Sequence, residues 1–481
     1  MTTSTGRNST EHTTATSEGA HQTPAPAERR TLTLITLSLI ALAWPFLAGL
    51  ILPTMPLLQT ELGVDPLTIA SALTASTLAA VVVTPLAGRI ADLYGARPTM
   101  LVILGISILG GYLSGAATAF PVFLIGQVLI GCGFTLVPVA FVVLRATFDA
   151  NRMKLASGVM VAMLAAGEGF GTLLGGPIAL SFSRAAMFAI PTGLLALAAI
   201  LLWLCRIGNT EREHRGRVPW TGAILLGIGL LATFAGLNFG LDVGWLEPST
   251  LLLLFAGVVF LVGWFISDHR SRNPLVEVGL LRERGVWAPM LASVIEGATM
   301  AATSFLILQR IALPEDTGYG LGAHVGQTGL FLIGGSIAAI VAAPLAGRLA
   351  ARFGTALIAI SGSVLLILGS LFLAFNTTAV GTVMGLVTVS IGSATISSTA
   401  YAATALAVPF HEVGIATALV SLSRTLGLAV GTQLGAAALA NPDLPAAAFI
   451  IGLLITAGLG FIGILAGSFF PRDRDALPAT R

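Results

Sequence analysis

The chain has 481 residues, of which 55% are hydrophobic and only 10% are charged, and its formal net charge is +2. Ordinary soluble domains contain about 25% charged residues, so this composition excludes a water-soluble globular fold. A net charge this small, carried by arginines in the loops, gives no support for binding to nucleic acid.

Apolar windows of about 20 residues recur from Leu32 to near the C-terminus. Each window is long enough to cross the ~30 Å hydrocarbon layer of a bilayer as a helix that rises about 1.5 Å per residue. Stretches such as LLLLFAGVVFLVGWFI do not alternate apolar and polar residues, as the strands of a membrane barrel would. The predicted fold class is therefore all-α integral membrane, in contact with the lipid bilayer.

Residues 1–30 are rich in Ser and Thr and end in the letters ERR, so we predict a disordered cytoplasmic tail. The first apolar window is long and no small-residue cleavage pattern follows it, so we expect it to remain as a helix. Cys132 and Cys205 both fall inside predicted spans, which leaves no external pair for a disulfide.

Counting the windows in chain order predicts about fourteen transmembrane helices, with six before and six after a pair at residues 219–267. The predicted spans are residues 31–56, 66–88, 97–117, 119–145, 155–181, 185–206, 219–240, 249–267, 286–309, 326–347, 355–375, 378–402, 413–438 and 446–470. The predicted domains are a tail (1–30), an N-terminal six-helix bundle (31–206), an inserted helix pair with cytoplasmic linkers (207–285), a C-terminal six-helix bundle (286–470) and a cytoplasmic tail (471–481).

Loop arginines predict the orientation of these spans, because Lys and Arg accumulate on the cytoplasmic side of a membrane. With the N-terminus inside, the outer loops carry only Arg184 and Arg310, and Arg424 alone falls within a span. An even number of crossings then places both termini in the cytoplasm.

One stretch of sequence occurs twice, as PLAGRIADLYG at residues 85–95 and PLAGRLAARFG at residues 344–354, with a constant offset of 259 positions. Each copy lies at the cytoplasmic end of the second-to-third helix connection of a six-helix bundle. Parallel repeats of this kind suit transporters whose halves rock around a midplane site. The glycines permit tight turns, and the charged residues can pair with one another or with a helix end.

From the first copy we predict a charged clasp that holds an inner gate shut. Its predicted residues are Gly88, Arg89, Asp92, Gly95 and Arg97. The second copy has Ala351 where Asp92 stands in the first, so we expect it to form a turn alone. The alternative is a generic polar loop without a gating role.

The pattern Gly-x-x-x-Asp-x-x-Gly-x-Arg resembles the loop signature of the major facilitator superfamily, and the resemblance runs from about residue 32 to 470. The stretches PWTGAILLGIGLL, NPLVEVGLLRERGVW and SLSRTLGLAVG are similar to the fourteen-helix drug/proton antiporter branch. This resemblance implies a 6+2+6 arrangement of helices and export of small lipophilic compounds, such as drugs or antibiotics, by alternating access. It also implies a monomer in the bacterial plasma membrane that uses the proton gradient and no cofactor.

The chain departs from the branch at three positions in the first half. Trp44 stands where the first-helix motif usually has Asp, and Gln127 stands where the fourth helix usually has Arg. The stretch GEGFGTLLGG is similar to the antiporter motif of the fifth helix, with Thr172 at the position of a proline. Glycines at 167, 171 and 175 make one smooth helix face, so we expect packing at the seam between the halves. The predicted gating glycines here are Gly171, Gly175 and Gly176.

Three ionisable residues are predicted to lie roughly 15 to 20 Å deep in the membrane, where a charge costs about 3 kcal/mol or more. They are Glu168, Glu296 and Arg424. We predict that the two glutamates carry protons and that Arg424 neighbours one of them, because desolvation favours a neutral carboxyl and an adjacent Arg favours an ionised one. The alternatives are a structural salt bridge between Glu296 and Arg424, and a buried, protonated Glu168 that donates a hydrogen bond between helices.

Apolar and aromatic residues within the spans suit a flat lipophilic ligand, with a few polar contacts. The predicted substrate-binding residues are Trp44, Phe46, Gln127, Phe134, Phe170, Met300, Gln309 and Tyr401. For each aromatic residue the alternative is core packing, and for Gln309 it is a solvated loop. Two acids and one base favour a weakly cationic or neutral amphipathic substrate.

No motif predicts catalysis or a metal site. There is no phosphate loop of the type Gly-x-x-x-x-Gly-Lys, and none of the six histidines is paired at metal-ligand spacing. We therefore predict a transporter and not an enzyme, with no catalytic residues, no metal and no cofactor. The alternatives are an exporter of a specific metabolite or lipid-like molecule on the same fold, or a non-transporting membrane sensor.

Overall fold

The computed structural model describes residues 27–181, 183–204, 218–271, 274–276, 279–314, 319–322, 325–439 and 445–471. Sixteen α-helices and no strand are present in this part of the chain. Most of the two predicted tails, the linker that contains Cys205, and Cys205 itself lie outside it.

The helices occupy both predicted halves and the inserted pair. In the first half they are α1 (Ala27–Gly49), α2 (Ile51–Leu62), α3 (Pro66–Tyr94), α4 (Ala96–Ala116), α5 (Phe120–Cys132), α6 (Leu136–Thr147), α7 (Ala150–Ser181) and α8 (Arg184–Leu204). The inserted pair is α9 (Trp220–Asp242) and α10 (Pro248–Arg270). In the second half they are α11 (Arg284–Ala312), α12 (Val325–Phe353), α13 (Thr355–Phe375), α14 (Ala379–Ala407), α15 (Val413–Ala438) and α16 (Pro445–Ser468).

Fourteen segments in the described residues are long and apolar enough to cross a membrane, which agrees with the predicted number of spans. The first span differs from the prediction, because the helix breaks at Leu50 and continues as the separate helix α2. Pro53 has no N–H to bond the carbonyl of Gly49, which explains the break. The fourth span consists of α5 and α6, joined by a 3₁₀ turn at Gly133–Thr135.

The two halves meet along two seams. At one seam α7 packs against α12, and at the other α15 packs against α3 and α6. The inserted helix α9 contacts both α3 and α15, so it lies beside the second seam, while α10 packs mainly on α9. Only 11% of the apolar window of α10 is buried, which places this helix at the periphery.

The two arginines predicted for the outer side each hold the C-terminus of a helix. The Arg184 guanidinium donates to the carbonyl of Ala117 after α4 and lies 3.1 Å from the carboxylate of Glu61. The Arg310 guanidinium donates to the carbonyls of Leu373 and Asn376 at the end of α13, at 3.2 and 2.8 Å. The offset of 259 positions superposes α4 on α13, so equivalent helices of the two halves are capped in the same way.

We expect Arg310→Gln to lower the midpoint of thermal unfolding of the purified protein by several degrees. The side chain is buried and donates three hydrogen bonds to carbonyls, one of them to Tyr319 at 3.0 Å. Leaving such acceptors unpaired costs about 1–3 kcal/mol each. Arg152→Gln is the matched control, because the Arg152 side chain is 60% exposed. Equal midpoints for the two variants would show that the cap does not stabilise the fold.

Candidate functional site

Two of the three predicted ionisable residues meet inside the second half. Glu296 on α11 is fully buried, and its Oε2 accepts a hydrogen bond of 3.0 Å from Nε of Arg424 on α15. The Ser393 hydroxyl on α14 donates to the other carboxylate oxygen, Oε1. The carboxylate is therefore held by two other helices, and a single arginine balances its charge.

Glycines bring α11 and α15 close enough for this pair to form. A Cβ atom at Gly297, next to Glu296, would clash with the backbone of Arg424. A Cβ atom at Gly427 or Gly431 would likewise clash with the backbone of α11. The stretch GLAVG on α15 thus acts as a small-residue face for close helix packing, which fixes the two charged side chains opposite each other.

The two partners differ in exposure. The Glu296 side chain is 0% exposed, whereas the Arg424 side chain is 30% exposed. An ion buried without a partner is strongly unfavourable, so Glu296 in its ionised form depends on Arg424. Arg424 is therefore the member of the pair that a ligand or a second carboxylate can reach.

Glu168 lies on α7, in the other half, and its side chain is exposed. The alternative that Glu168 is buried between helices is therefore wrong for this structure. Glu168 is not the ion-pair partner of Arg424, but the two charges interact electrostatically across the halves. The geometry thus assigns the direct partner of Arg424 to Glu296 and leaves Glu168 as a second, accessible carboxylate.

The first repeat copy joins the two halves at one end of the bundle, which we call the motif end. The Asp92 carboxylate accepts hydrogen bonds from the backbone N–H groups of Gly414 and Ile415, at 2.8 and 2.9 Å, in the first turn of α15. A negative charge is favourable at a helix N-terminus, where N–H groups lack intrahelical partners. Gly88 permits this contact, because its Cβ atom would lie 2.6 Å from the carbonyl oxygen of Gly414.

The other residues of the predicted clasp have separate tasks. Arg97 donates to the carbonyls of Leu202 and Trp203, at 3.3 and 2.7 Å, and so caps the C-terminus of α8 within its own half. Gly95 has φ of 96°, a conformation that favours glycine. Arg89 interacts electrostatically with Asp92. Of the charged residues of the motif, Asp92 is the one that the structure places on the opposite half.

The second repeat copy also contacts the opposite half, although its aspartate position is Ala351. A Cβ atom at Gly347 would clash with the carbonyl of Lys154 on α7, so the two backbones approach as closely as at Gly88. The buried Lys154 ammonium donates to the carbonyl of Ala350 at 3.3 Å, near the C-terminus of α12. The expectation of a turn alone is therefore incomplete, because a positive charge from α7 meets a helix C-terminus here.

Three further contacts join the halves between the motif end and the charged pair. The Ser157 hydroxyl on α7 donates to the carbonyl of Ser398 on α14 at 2.7 Å. The Thr417 hydroxyl on α15 donates to the carbonyl of Pro138 on α6 at 3.2 Å. Phe141 on α6 then stacks on Tyr401 on α14, with ring centroids 4.7 Å apart. Together these contacts close the halves against each other at the motif end.

The predicted glycine face of α7 does not lie at the seam. A Cβ atom at Gly171 would lie 2.8 Å from the Phe46 carbonyl oxygen on α1, within the same half, and Gly167 likewise packs on α1. Gly158 and Gly169 face α12 instead. They lie eleven residues apart and therefore share one face of α7, while Gly167 lies on the opposite face. Gly175 is buried on the same helix, and the surroundings of Gly176 lie outside the described part of the chain.

The predicted substrate-binding residues fall into separate groups. Trp44 donates through Nε1 to the Ile130 carbonyl at 2.9 Å and meets Phe134 edge to face at 5.3 Å. Phe46 and Phe170 form a second edge-to-face pair at 6.3 Å. Both pairs lie in the first half, and Phe170 is the exposed member.

The remaining candidates are not all accessible. Gln127 is fully buried and its amide donates to the Ser114 hydroxyl at 2.9 Å, so it serves packing between α4 and α5 in this conformation. Tyr401 is buried in the stack with Phe141. Met300 is half-buried, and Gln309 is exposed near the end of α11. A ligand can therefore reach Phe170, Met300 and Gln309 more readily than Gln127 or Tyr401.

Among the residues of the site that the sequence did not predict are Phe141, Lys154 and Ser393. The signal that indicates Ser393 is the density of hydroxyl groups in the run SIGSATISSTAY of the span α14. Such a density of polar groups in a membrane helix marks a face that packs on protein and not on lipid. Lys154 is the one lysine near a predicted span, but its position at a helix start resembles an ordinary loop charge.

A sequence profile of the Major Facilitator Superfamily matches residues 37–308 and 290–481. The chain belongs to this superfamily. The described helices also superpose on solved transporters of the same fold. The human organic anion transporter MFSD10 (TETRAN) gives a TM-score of 0.65 at 16% identity, covering 92% of this chain and 100% of that one. The proton:xylose symporter XylE gives 0.65 at 14% identity, covering 92% of this chain and 96% of that one.

Curated relatives within the superfamily carry transport names. The uridine/deoxyuridine transporter of Lactococcus lactis is 27% identical over 348 residues, which are 70% of this chain and 71% of the relative. Multidrug resistance protein Stp of Mycobacterium tuberculosis is 26% identical over 351 residues, 72% of this chain and 64% of Stp. The tetracenomycin C resistance and export protein of Streptomyces glaucescens is 28% identical over 278 residues, 56% of this chain and 49% of the relative. The protein is thus a multi-pass membrane transporter of the superfamily, and the matched part of the chain spans about half to two thirds of the length of the two resistance proteins.

We expect Asp92→Asn to accelerate hydrogen–deuterium exchange in the first turn of α15. Asn offers one acceptor and places an NH₂ group against a backbone N–H, so one of the two hydrogen bonds at Gly414 and Ile415 is lost. Exchange measured by mass spectrometry on peptides covering residues 413–418 should rise at least tenfold. Asp149→Asn is the control, because this carboxylate is 62% exposed and lies in a loop. Unchanged exchange in the Asp92 variant would show that the Asp92 carboxylate does not hold the first turn of α15.

We expect Gly158→Ala to lower the thermal stability of the transporter, although alanine favours a helix over glycine by about 1 kcal/mol. The added methyl group would meet the backbone of α12, where it lies 2.8 Å from the Pro344 Cα atom. Gly193→Ala is the matched control, since nothing lies within 4 Å of the corresponding Cβ position. The midpoint temperature of thermal unfolding in detergent should fall for Gly158→Ala and should stay level or rise for Gly193→Ala. A rise for both would contradict close packing at this seam.

Proposed function

We propose that the protein exports small lipophilic compounds in exchange for protons, by alternating access. It would work as a monomer in the bacterial plasma membrane with both termini in the cytoplasm, and the proton gradient would supply the energy without a cofactor. The observation that carries this proposal is the ion pair between the buried Glu296 carboxylate and the partly accessible Arg424. Glu296 lies about 18 Å along α11 from the start of this helix. A buried acid with one exchangeable partner is a suitable site for loading and releasing a proton.

In the proposed cycle, the ionised Glu296 holds Arg424 while the motif end is closed. A proton that reaches Glu296 removes its charge, and Arg424 loses its ion-pair partner. The accessible carboxylate of Glu168 in the other half then becomes the remaining acid that interacts with Arg424. This exchange of partners between the halves would change which arrangement of the two halves is favoured.

A lipophilic substrate, neutral or weakly cationic, would bind between the halves. Glu168 would attract its positive charge, and Phe170 and Met300 would offer apolar contact. Substrate binding at Glu168 would also compete with the electrostatic interaction between Glu168 and Arg424. That competition gives a physical reason for substrate and proton to alternate. The names of the two resistance proteins among the relatives support the substrate class, and the name of the tetracenomycin C resistance and export protein also supports the direction of transport.

A second candidate is a transporter of a polar metabolite such as a nucleoside. The similarity to the uridine/deoxyuridine transporter favours it, because that alignment spans 71% of the relative, a larger share than for the two resistance proteins. Arg424 and Glu168 together could hydrogen-bond an uncharged polar solute. The two candidates therefore share the charged pair and differ in the substrate.

We expect Glu296→Gln to abolish substrate-driven proton release. Inverted membrane vesicles would be energised to be acidic inside, and collapse of the pH gradient would be followed as ethidium, a neutral lipophile or uridine is added. With the wild type, collapse by ethidium or the lipophile supports drug/proton exchange, and collapse by uridine alone supports the second candidate. Glu283→Gln is the matched control, because this acid is exposed just before the same helix.

The combined variant Glu296→Gln, Arg424→Gln separates coupling from folding. Removing one partner leaves a buried charge unpaired, whereas removing both leaves a neutral amide pair that can still hydrogen-bond. We expect this variant to fold and to bind ethidium, with at least a tenfold loss of ethidium-driven proton release. If a folded double variant releases protons normally, the ion pair has only a structural role and does not couple substrate to proton transport.

A further inference from the structure

A chain of contacts runs from the charged pair to the closed motif end. The Tyr401 hydroxyl is 2.7 Å from the Ser421 hydroxyl, one turn of α15 before Arg424. The ring of Tyr401 stacks on Phe141 of the opposite half, with an interplanar angle of 13°. One residue therefore contacts both the helix that carries Arg424 and the barrier between the halves.

The position of the stack along the helices supports a gating role. Tyr401 lies six residues before the motif end of α14, or about 9 Å, while Glu296 lies twelve residues into α11, or about 18 Å. The stack thus lies between the motif end and the pair, one turn nearer to the motif end than the Ser157–Ser398 contact. A solute or proton moving between the motif end and Glu296 must pass this level.

The charged and titratable groups around Tyr401 are few. Arg424 on α15 and Glu296 on α11 both interact electrostatically with the tyrosine, and Glu168 on α7 interacts with Arg424. Ser393 on α14 ties the same helix to the Glu296 carboxylate. A change of charge at Glu296 therefore acts on two residues of α14. It acts on Ser393 through a hydrogen bond and on Tyr401 through the interaction of Tyr401 with Arg424.

We propose that Tyr401 is a positioning residue that transmits the protonation state of Glu296 to the closure of the motif end. With Glu296 ionised, Arg424 is held on α11, and the Tyr401 hydroxyl stays on Ser421 with its ring on Phe141. Protonation of Glu296 frees Arg424, which still interacts with the charge of Glu168, and its guanidinium then needs nearby hydrogen-bond acceptors, which the Tyr401 and Ser421 hydroxyls can provide. Recruiting them shifts the ring off Phe141 and opens the motif end. This inference rests on the proposed proton coupling at Glu296.

The test measures opening directly as a function of pH. Spin labels at Tyr94→Cys and Phe353→Cys sit on exposed positions at the motif end, one in each half and related by the offset of 259. Both native cysteines would be replaced by Ala, and distances would be measured in lipid nanodiscs from pH 5 to 9. We expect the wild type to move from short to long distances as the pH falls, and Glu296→Gln to stay long at every pH.

Tyr401→Phe keeps the ring and removes only the hydroxyl, so the stack on Phe141 can persist. We expect its pH midpoint for opening to shift by at least one unit or its pH response to vanish, and Ser421→Ala to reproduce this effect. Tyr319→Phe is the control, because this tyrosine packs on Phe449 in another part of the second half. Ethidium binding should stay within twofold of the wild type in Tyr401→Phe, while ethidium-driven proton release falls at least tenfold.

The outcomes separate the inference from the proposed function. If Glu296→Gln removes the pH response and Tyr401→Phe titrates like the wild type, the role of Tyr401 is refuted and proton coupling at Glu296 stands. If the wild type shows no change of distance with pH, both the inference and the proposed coupling fail. If Phe141→Leu opens the motif end at all pH values and Tyr401→Phe shifts the pH midpoint of opening, two assignments are supported. The ring stack closes the motif end, and the Tyr401 hydroxyl transmits the protonation state of Glu296.

Discussion

An unpaired charge or backbone group within a membrane costs several kcal/mol, and this cost decides where the charged side chains of the described spans lie. Helix ends are the natural partners, since each leaves four N–H or C=O groups without an intrahelical bond. Arg97, Arg184 and Arg310 each donate to carbonyls at the end of a neighbouring helix. Asp92 does the reverse and accepts from two N–H groups. The Glu296–Arg424 pair differs from these residues, because its two members bond to each other and not to a helix end.

The two repeat copies show how one constraint can be met by opposite charges. In the first copy an acid at the end of α3 meets the N-terminus of α15. In the second copy the acid is replaced by Ala351, and the charge comes from the facing helix, where Lys154 meets the C-terminal turn of α12. Both arrangements obey the direction of the helix dipole. The pseudo-symmetric halves therefore keep the geometry of the seam, including the close contacts at Gly88 and Gly347, while the source of the charge has changed.

The sequence predicted the parts of this structure that depend on length and composition. The number of spans and the position of the repeat follow from apolar windows and a constant offset, and Arg424 is identifiable as the one arginine within a span. The partner of Arg424 cannot be identified from the sequence, because Glu168 and Glu296 lie at similar depths. Only the packing of α11 on α15 distinguishes the two glutamates. The first span was predicted as one unbroken helix, although Pro53, which explains the break at Leu50, stands in the sequence. Glycine spacing on α7 indicated a smooth face but not its partner, since α1 and α12 both pack closely on this helix.

The contacts that cross between the halves differ in kind from those within them. At the motif end the halves are joined by single hydrogen bonds to backbone groups and by one aromatic stack, each contributing about 0.5–3 kcal/mol. The ion pair is held within one half, by α11, α14 and α15. Separating the halves breaks only the first set, and the exposed groups can then bond to water. Separation of the halves does not by itself break the charged pair, whereas protonation of Glu296 does, so the protonation state can bias the movement from within one half.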